Sequence, residues 1–175
     1  RYEHAMTYDA SRGVAVLFRG FHASNVKQGD TWEWDGSTRT WIQVADDDAS
    51  GASAPAPRTY HAMTYDASRG VTGLFGGLDD DGRQGDTWAW EGASWTKVAE
   101  EDASGASAPT PRYLHAMTYD ASLGATVLFG GFDGVRLGDT WEWDGSSSTW
   151  TQLADDDASG ASAPTPRSSH AMTYD

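Results

Sequence analysis

Apolar and polar residues alternate in short runs along this chain, and no stretch repeats at helical spacing. His4-Ala5-Met6-Thr7-Tyr8-Asp9 puts His4, Met6 and Tyr8 on one face of a strand and Ala5 and Thr7 on the other. Asp9-Ala10-Ser11-Arg12-Gly13 follows, a turn by composition. Residues 14–18 then form an almost wholly apolar run, too short for a helix and suited to a strand buried on both faces. Residues 71–75 and 125–129 are its equivalents, closing in Gly76-Gly77 and Gly130-Gly131. Residues 30–35 alternate again, with Trp32 and Trp34 facing one way and Thr31, Glu33 and Asp35 the other; residues 86–91 and 139–144 repeat the pattern. A Gly/Ser turn leads to a fourth run opened by Trp41, Trp95 or Trp150. The pattern predicts four short antiparallel strands, A to D, bounded by turn residues.

His-Ala-Met-Thr-Tyr-Asp begins at His4, His61, His115 and His170, so the chain is a repeat array with a period near 55 residues. The units are 1–57, 58–111 and 112–166, and residues 167–175 repeat only the opening nine. Each strand D leads into an acidic linker, Asp46-Asp47-Asp48-Ala-Ser-Gly-Ala-Ser-Ala-Pro-Ala-Pro in the first unit. All six prolines end these linkers, and proline cannot donate to a sheet ladder, so they mark loop.

The order Arg-x-x-His, strand, Phe-Gly-Gly, Asp-Thr-Trp-x-Trp-Asp and Trp resembles the kelch repeat, in register in all three units. The resemblance implies an all-β fold, a β-propeller of four-stranded antiparallel blades: three complete blades plus one extra innermost strand. The first unit departs from it with Arg19-Gly20 in place of Gly-Gly, which puts the local backbone of that blade in doubt. Propellers usually have ~4–8 blades, and three would leave two apolar faces bare. Two expectations follow: a piece of a longer propeller, or two chains forming a six-bladed ring as a homodimer through blade-to-blade packing.

Charge narrows the partners. Against 26 acidic residues stand 12 basic ones, for a net charge of −14, so nucleic-acid backbones and anionic lipid surfaces are disfavoured. No apolar run approaches the ~18 residues of a membrane span. The absence of cysteine excludes disulfides and thiol chemistry, including the cysteine–tyrosine cofactor that kelch oxidases need. No nucleophile–base arrangement or phosphate loop stands out. The expectation is a non-enzymatic module with no cofactor and no metal. Its composition looks most like bacterial surface or secreted arrays.

Several candidate groups have ordinary structural explanations. The repeated histidines, expected on the innermost strands, are read as hydrogen-bonded blade-to-blade contacts and not as metal ligands. Arg1, Arg58, Arg112 and Arg167 are expected to pair with strand-end carboxylates or carbonyls between blades. The tryptophans read as blade packing and not as sugar platforms. The acidic runs read as solvated loops and not as calcium sites. In an up-and-down blade the B–C and D–A connections leave at the same end, and the B–C loops are the variable part of the chain. Binding a protein or glycan is therefore expected there, through His22, Asn25, Lys27, Asp79, Asp80, Asp81, Arg83, Asp133 and Arg136.

Overall fold

The computed structural model describes residues 2–18, 20–21 and 26–175. Its twelve strands form three four-stranded sheets. The first holds β1 (Ala5–Asp9), β2 (Val14–Phe18), β3 (Thr31–Asp35) and β4 (Thr40–Ala45). The second holds β5 (Ala62–Asp66), β6 (Val71–Leu78), β7 (Arg83–Trp90) and β8 (Trp95–Ala99). The third holds β9 (Ala116–Asp120), β10 (Ala125–Phe132), β11 (Arg136–Asp144) and β12 (Thr149–Ala154). Each sheet is an antiparallel meander in chain order, the four-stranded blade. Strand β1 touches β5 and β5 touches β9, so strand A is the one that meets its counterparts from sheet to sheet and lies innermost.

Two strand ends differ from the expected ones. β6 and β10 continue through the glycine pairs to Leu78 and Phe132, and β7 and β11 begin at Arg83 and Arg136. The glycines do not end the strand; they form a bulge after which pairing resumes as Gly77↔Gln84 and Leu78↔Arg83. Gly77 has φ 105°, and a Cβ there would meet the Thr59 carbonyl oxygen at 2.8 Å, so no side chain fits. Arg83 and Arg136 are consequently the first residues of strands rather than loop residues. In the first sheet β2 stops at Phe18, and Arg19 lies outside the described residues.

The core lies between sheets. One cluster joins Val16 and Phe18 of the first sheet to Met63, Leu74, Trp88, Trp90 and Trp95 of the second. The other joins Phe75 of the second sheet to Leu128, Trp141, Trp143 and Trp150 of the third. Trp95 Nε1 donates to Thr31 Oγ1 of the preceding sheet at 2.8 Å, and Trp150 Nε1 to Thr87 Oγ1 at 3.0 Å. At the opposite rim the Ser11 and Ser68 amides donate to the Tyr65 and Tyr119 hydroxyls of the following sheet. The tryptophans thus pack blade on blade, and the buried Trp95 and Trp150 indole N–H groups each find an acceptor in the preceding blade.

Arg58 and Arg112 pair inside their own blades, not between blades. Arg58 Nη1 and Nη2 donate to the two carboxylate oxygens of Asp86 at 2.5 and 3.1 Å, and Arg112 grips Asp139 likewise at 2.5 and 2.8 Å. The same guanidinium groups donate to the carbonyls of Gly76 and Gly130. Arginine therefore fastens the start of strand A to strands B and C of its own sheet. Arg1 lies outside the described residues.

Residues 167–175 follow the path of a strand-A segment along the third sheet. Gly131 N donates to Arg167 O, and the His170 ring stands edge-on to Phe129 at 5.3 Å. They pair into no ladder.

Candidate recognition face

Strand order fixes one end of each blade as the exit for both the B–C hairpin and the D–A linker. The linkers are held by their own acids. Asp48 Oδ1 accepts from the Ser50 amide and hydroxyl, and Oδ2 from the Ser53 amide and hydroxyl. Asp102 and Asp157 repeat this with Ser104 and Ser107, and with Ser159 and Ser162. These bonds, led by those from the Ser50, Ser104 and Ser159 hydroxyls, hold all three carboxyls well below the usual aspartate range. Asp47 and Asp156 accept from the amides of Gly29 and Gly138 at 2.6 and 2.5 Å, tying linker to hairpin. Asp46 and Asp155 accept from Gln43 and Gln152. The acidic runs are thus intrachain acceptors as well as solvated loops. Among the described residues no cluster of metal-ligating side chains occurs.

The expected binding residues divide. His22 and Asn25 lie outside the described residues. Lys27 Nζ bonds Asp80 Oδ1 at 2.9 Å, joining the B–C loops of the first and second blades. Asp79 and Asp133 accept amides within their own turns, from Asp81 and Gly82 and from Val135, and shape those turns. Asp133 Oδ2 also accepts from Thr110 Oγ1, joining the second linker to the third hairpin. Arg83 and Arg136 are exposed at the strand heads. A cleft of about 360 Å³ opens on this face, lined by Thr110, Asp133, Asp155 and the Arg112–Asp139 pair among others.

The inner rim of the same face was not singled out from the sequence. The residue before each strand-A histidine has a left-handed backbone: Glu3 (φ 63°), Tyr60 (57°), Leu114 (58°) and Ser169 (60°). A backbone belt runs through them from blade to blade: Tyr60 N to Glu3 O, Leu114 N to Tyr60 O, and Ser169 N to Leu114 O. The Tyr60 hydroxyl donates to Glu3 Oε1, and that charged neighbour pushes the phenol up to about 12. The Tyr60 and Tyr113 rings lie 5.8 Å apart, and Tyr113 meets Phe132 at 5.5 Å. A signal was present: the two residues inside each Arg-x-x-His differ in every unit, while their flanks are constant.

The histidines sit one residue further in, as blade-to-blade contacts. His61 stands edge-on to Phe18 at 5.3 Å and His115 to Phe75 at 5.4 Å. Both are buried, and neither ring nitrogen has a hydrogen-bond partner; the carbonyls of Phe18 and Phe75 are near enough only to favour the proton electrostatically. The expected hydrogen bonds are not made at these two rings, which pack instead against Phe18 and Phe75. Burial first, then the charge of Arg58 or Arg112, lowers both imidazoles to about 3. His4 is exposed.

Residues 1–175 match a domain family described as the KLHDC2/KLHL20/DRC7 Kelch-repeats domain. An F-box/kelch-repeat protein of Arabidopsis thaliana is 38% identical over 111 residues, covering 57% of this chain and 22% of that protein. Host cell factor 1 of Homo sapiens is 28% identical over 173 residues, which is 90% of this chain and 8% of its own length. The Caenorhabditis elegans host cell factor homolog is 27% identical over 157 residues, 81% of this chain and 20% of that protein. The chain therefore spans a fifth or less of most of these relatives, and all of them are eukaryotic.

Proposed function

The chain belongs to the kelch-repeat family, and on that premise we propose that it is a non-enzymatic recognition module contacting a partner protein through its B–C and D–A loop face. One observation carries this reading. Loops of different blades are tied together at that end, by Lys27–Asp80 and by Thr110–Asp133, and hairpins are tied to linkers by Gly29–Asp47 and Gly138–Asp156. Variable residues on a braced surface are the usual setting for binding. A polypeptide fits better than a glycan, because six tryptophans that would stack on sugar are buried between blades: Trp88, Trp90, Trp95, Trp141, Trp143 and Trp150. The site is assigned to Lys27, Asp79, Asp80, Asp81, Arg83, Asp133 and Arg136. Replacing Lys27, Arg83 and Arg136 together with alanine should abolish binding of a purified partner measured by calorimetry. Unchanged affinity would remove this face from consideration.

A second reading, self-association, is favoured by the bare end faces. Met6 and Trp41 are 52% and 42% exposed, whereas their equivalents Met63 and Trp95 are 8% and 5% exposed. With Ala15 and Trp34 they line an apolar cleft of about 260 Å³. Phe129 and Thr140 offer the complementary face at the other end, partly covered by His170. Light scattering decides: a discrete dimer supports ring closure between two copies, and a monomer at high concentration ends it. An extracellular or bacterial setting, expected from composition, also stands as a proposal. Fractionation of cells expressing the full reading frame tests it.

A further inference from the structure

Within each Arg-x-x-His, strand A separates a constant backbone from a variable pair of side chains. The first variable residue bridges to the end of strand B, as Tyr2↔Phe21, Thr59↔Leu78 and Tyr113↔Phe132. The second adopts the left-handed conformation at Glu3, Tyr60, Leu114 and Ser169. For residues with a Cβ that conformation costs roughly 1–2 kcal/mol, and it persists here because the interblade belt holds it. The belt is made by main-chain atoms alone, so the side chains it carries are free to differ without loosening the ring of contacts.

Those side chains assemble one kind of surface. Tyr60 lies between the Glu3 carboxylate and the Tyr113 ring, Tyr113 lies against Phe132, and Tyr2 stacks beside Phe21 at 5.2 Å, with Tyr2 45% exposed. Glu3 Oε2 is shielded from water and has no hydrogen-bond partner among the described residues, so this carboxylate oxygen is left open to a donor. The surrounding linkers and B–C loops hold thirteen acidic residues (46–48, 79–81, 100–102, 133 and 155–157) against four basic ones, Arg19, Lys27, Arg83 and Arg136. Aromatic faces beside a carboxylate oxygen open to a donor, inside a negative field, match the chemistry of an ammonium or guanidinium group.

We propose that this rim, centred on Tyr60 and Tyr113 with Glu3 behind them, receives a lysine or arginine side chain of a partner polypeptide. The assignment rests on the loop-face reading and names what that face takes. It also gives the net acidity a use, because a basic segment is steered toward the face by the field of the linkers before the rings engage it.

Capped Gly/Ser peptides bearing two lysines, two arginines or two glutamates serve as probes. Nuclear magnetic resonance follows the Tyr60 and Tyr113 ring signals of the full chain at low and moderate salt. The lysine and arginine peptides should shift both rings saturably and the glutamate peptide should not. Replacing both tyrosines (Tyr60→Leu, Tyr113→Leu) should weaken binding about fivefold or more, as expected for lost cation–π contacts. Glu100→Gln with Glu101→Gln, exposed acids of the second linker outside the assigned site, should weaken it less than twofold. Glu3→Gln, which keeps both rings, should also weaken it, and it tests the site should the tyrosine variant fail to fold. No saturable shift with either cationic peptide overturns the proposal. So does an equal loss in the Glu100/Glu101 and tyrosine variants, which would mean diffuse attraction to acidic loops. If the cationic peptides fail while the Lys27/Arg83/Arg136 substitution still abolishes binding of a purified protein partner, the rim assignment falls and the loop face stands.

Discussion

Replacing Arg112 with methionine removes a buried five-bond donor of the third blade. Arg112 is 1% exposed and donates to Thr110 O at 3.0 Å, Thr110 Oγ1 at 3.1 Å, Gly130 O at 3.1 Å and both oxygens of Asp139 at 2.5 and 2.8 Å. Methionine fills much of the volume but donates nothing. Asp139, 8% exposed, would keep only the indole N–H of Trp141 among these side-chain donors. Breaking one side of a buried pair costs roughly 3–5 kcal/mol, mostly by stranding the remaining charge. With a urea slope of about 2 kcal/mol per molar, the midpoint should fall by about 2 M. The double variant Arg112→Met/Asp139→Leu should recover a large part of that loss, since no charge is then left buried. Arg167 occupies the same position after the third blade, yet it is exposed and, among the described residues, its side chain bonds only Thr165. Arg167→Met should stay within about 0.5 kcal/mol of the parent. Urea unfolding followed by tryptophan fluorescence measures all three. Equal midpoints for the Arg112 and Arg167 variants, or no recovery in the double variant, would refute the argument that the buried fork anchors strand A.

The histidines predict acid sensitivity. With His61 and His115 lowered to about 3 in the fold and near 6.5 unfolded, the unfolded chain binds more protons between those values. Stability is therefore full above about pH 6.5 and declines as pH falls toward 3, by about 2 kcal/mol per histidine at pH 5. His61→Gln with His115→Gln should flatten that slope in urea titrations at pH 4.5–6.5, and an unchanged slope would contradict it. Gly77→Ala should destabilise by about 2 kcal/mol or more, because the added Cβ meets Thr59 O at 2.8 Å and φ is 105°. Gly73→Ala, whose nearest contact is 3.9 Å, should leave the thermal midpoint within a few degrees. Asp102→Ala should speed amide exchange at Ser104 and Ser107 while leaving Ser50 and Ser53 unchanged, because each linker turn is closed by its own aspartate.

Strands and blades were legible because their signals are local. Period-two alternation in His-Ala-Met-Thr-Tyr-Asp and Asp-Thr-Trp-x-Trp needs no knowledge of neighbours. Packing by Trp90 and Trp95 followed from their recurrence. The glycine pairs misled because composition marks a glycine as punctuation, whereas here Gly76 and Gly77 let the ladder cross a bulge and resume. The partner of each arginine lay 28 residues away for Arg58 and 27 for Arg112, a separation that only the folded sheet reveals. The histidines defeated a hydrogen-bonding expectation because nothing in one unit says that Phe18 of the preceding blade will meet His61. The rim was hidden by its own variability. Tyr-Glu, Thr-Tyr, Tyr-Leu and Ser-Ser look like noise until the belt shows them standing side by side.

That belt has a consequence for how such a surface can change. Its joints use only amide and carbonyl groups, so they are blind to which unit follows which. Shuffling or duplicating whole units would rewrite the sequence of side chains around the mouth while leaving every joint in place. The order Glu3, Tyr60, Leu114, Ser169 is then one word in an alphabet set by recombination, and new specificities are reachable without renegotiating the fold.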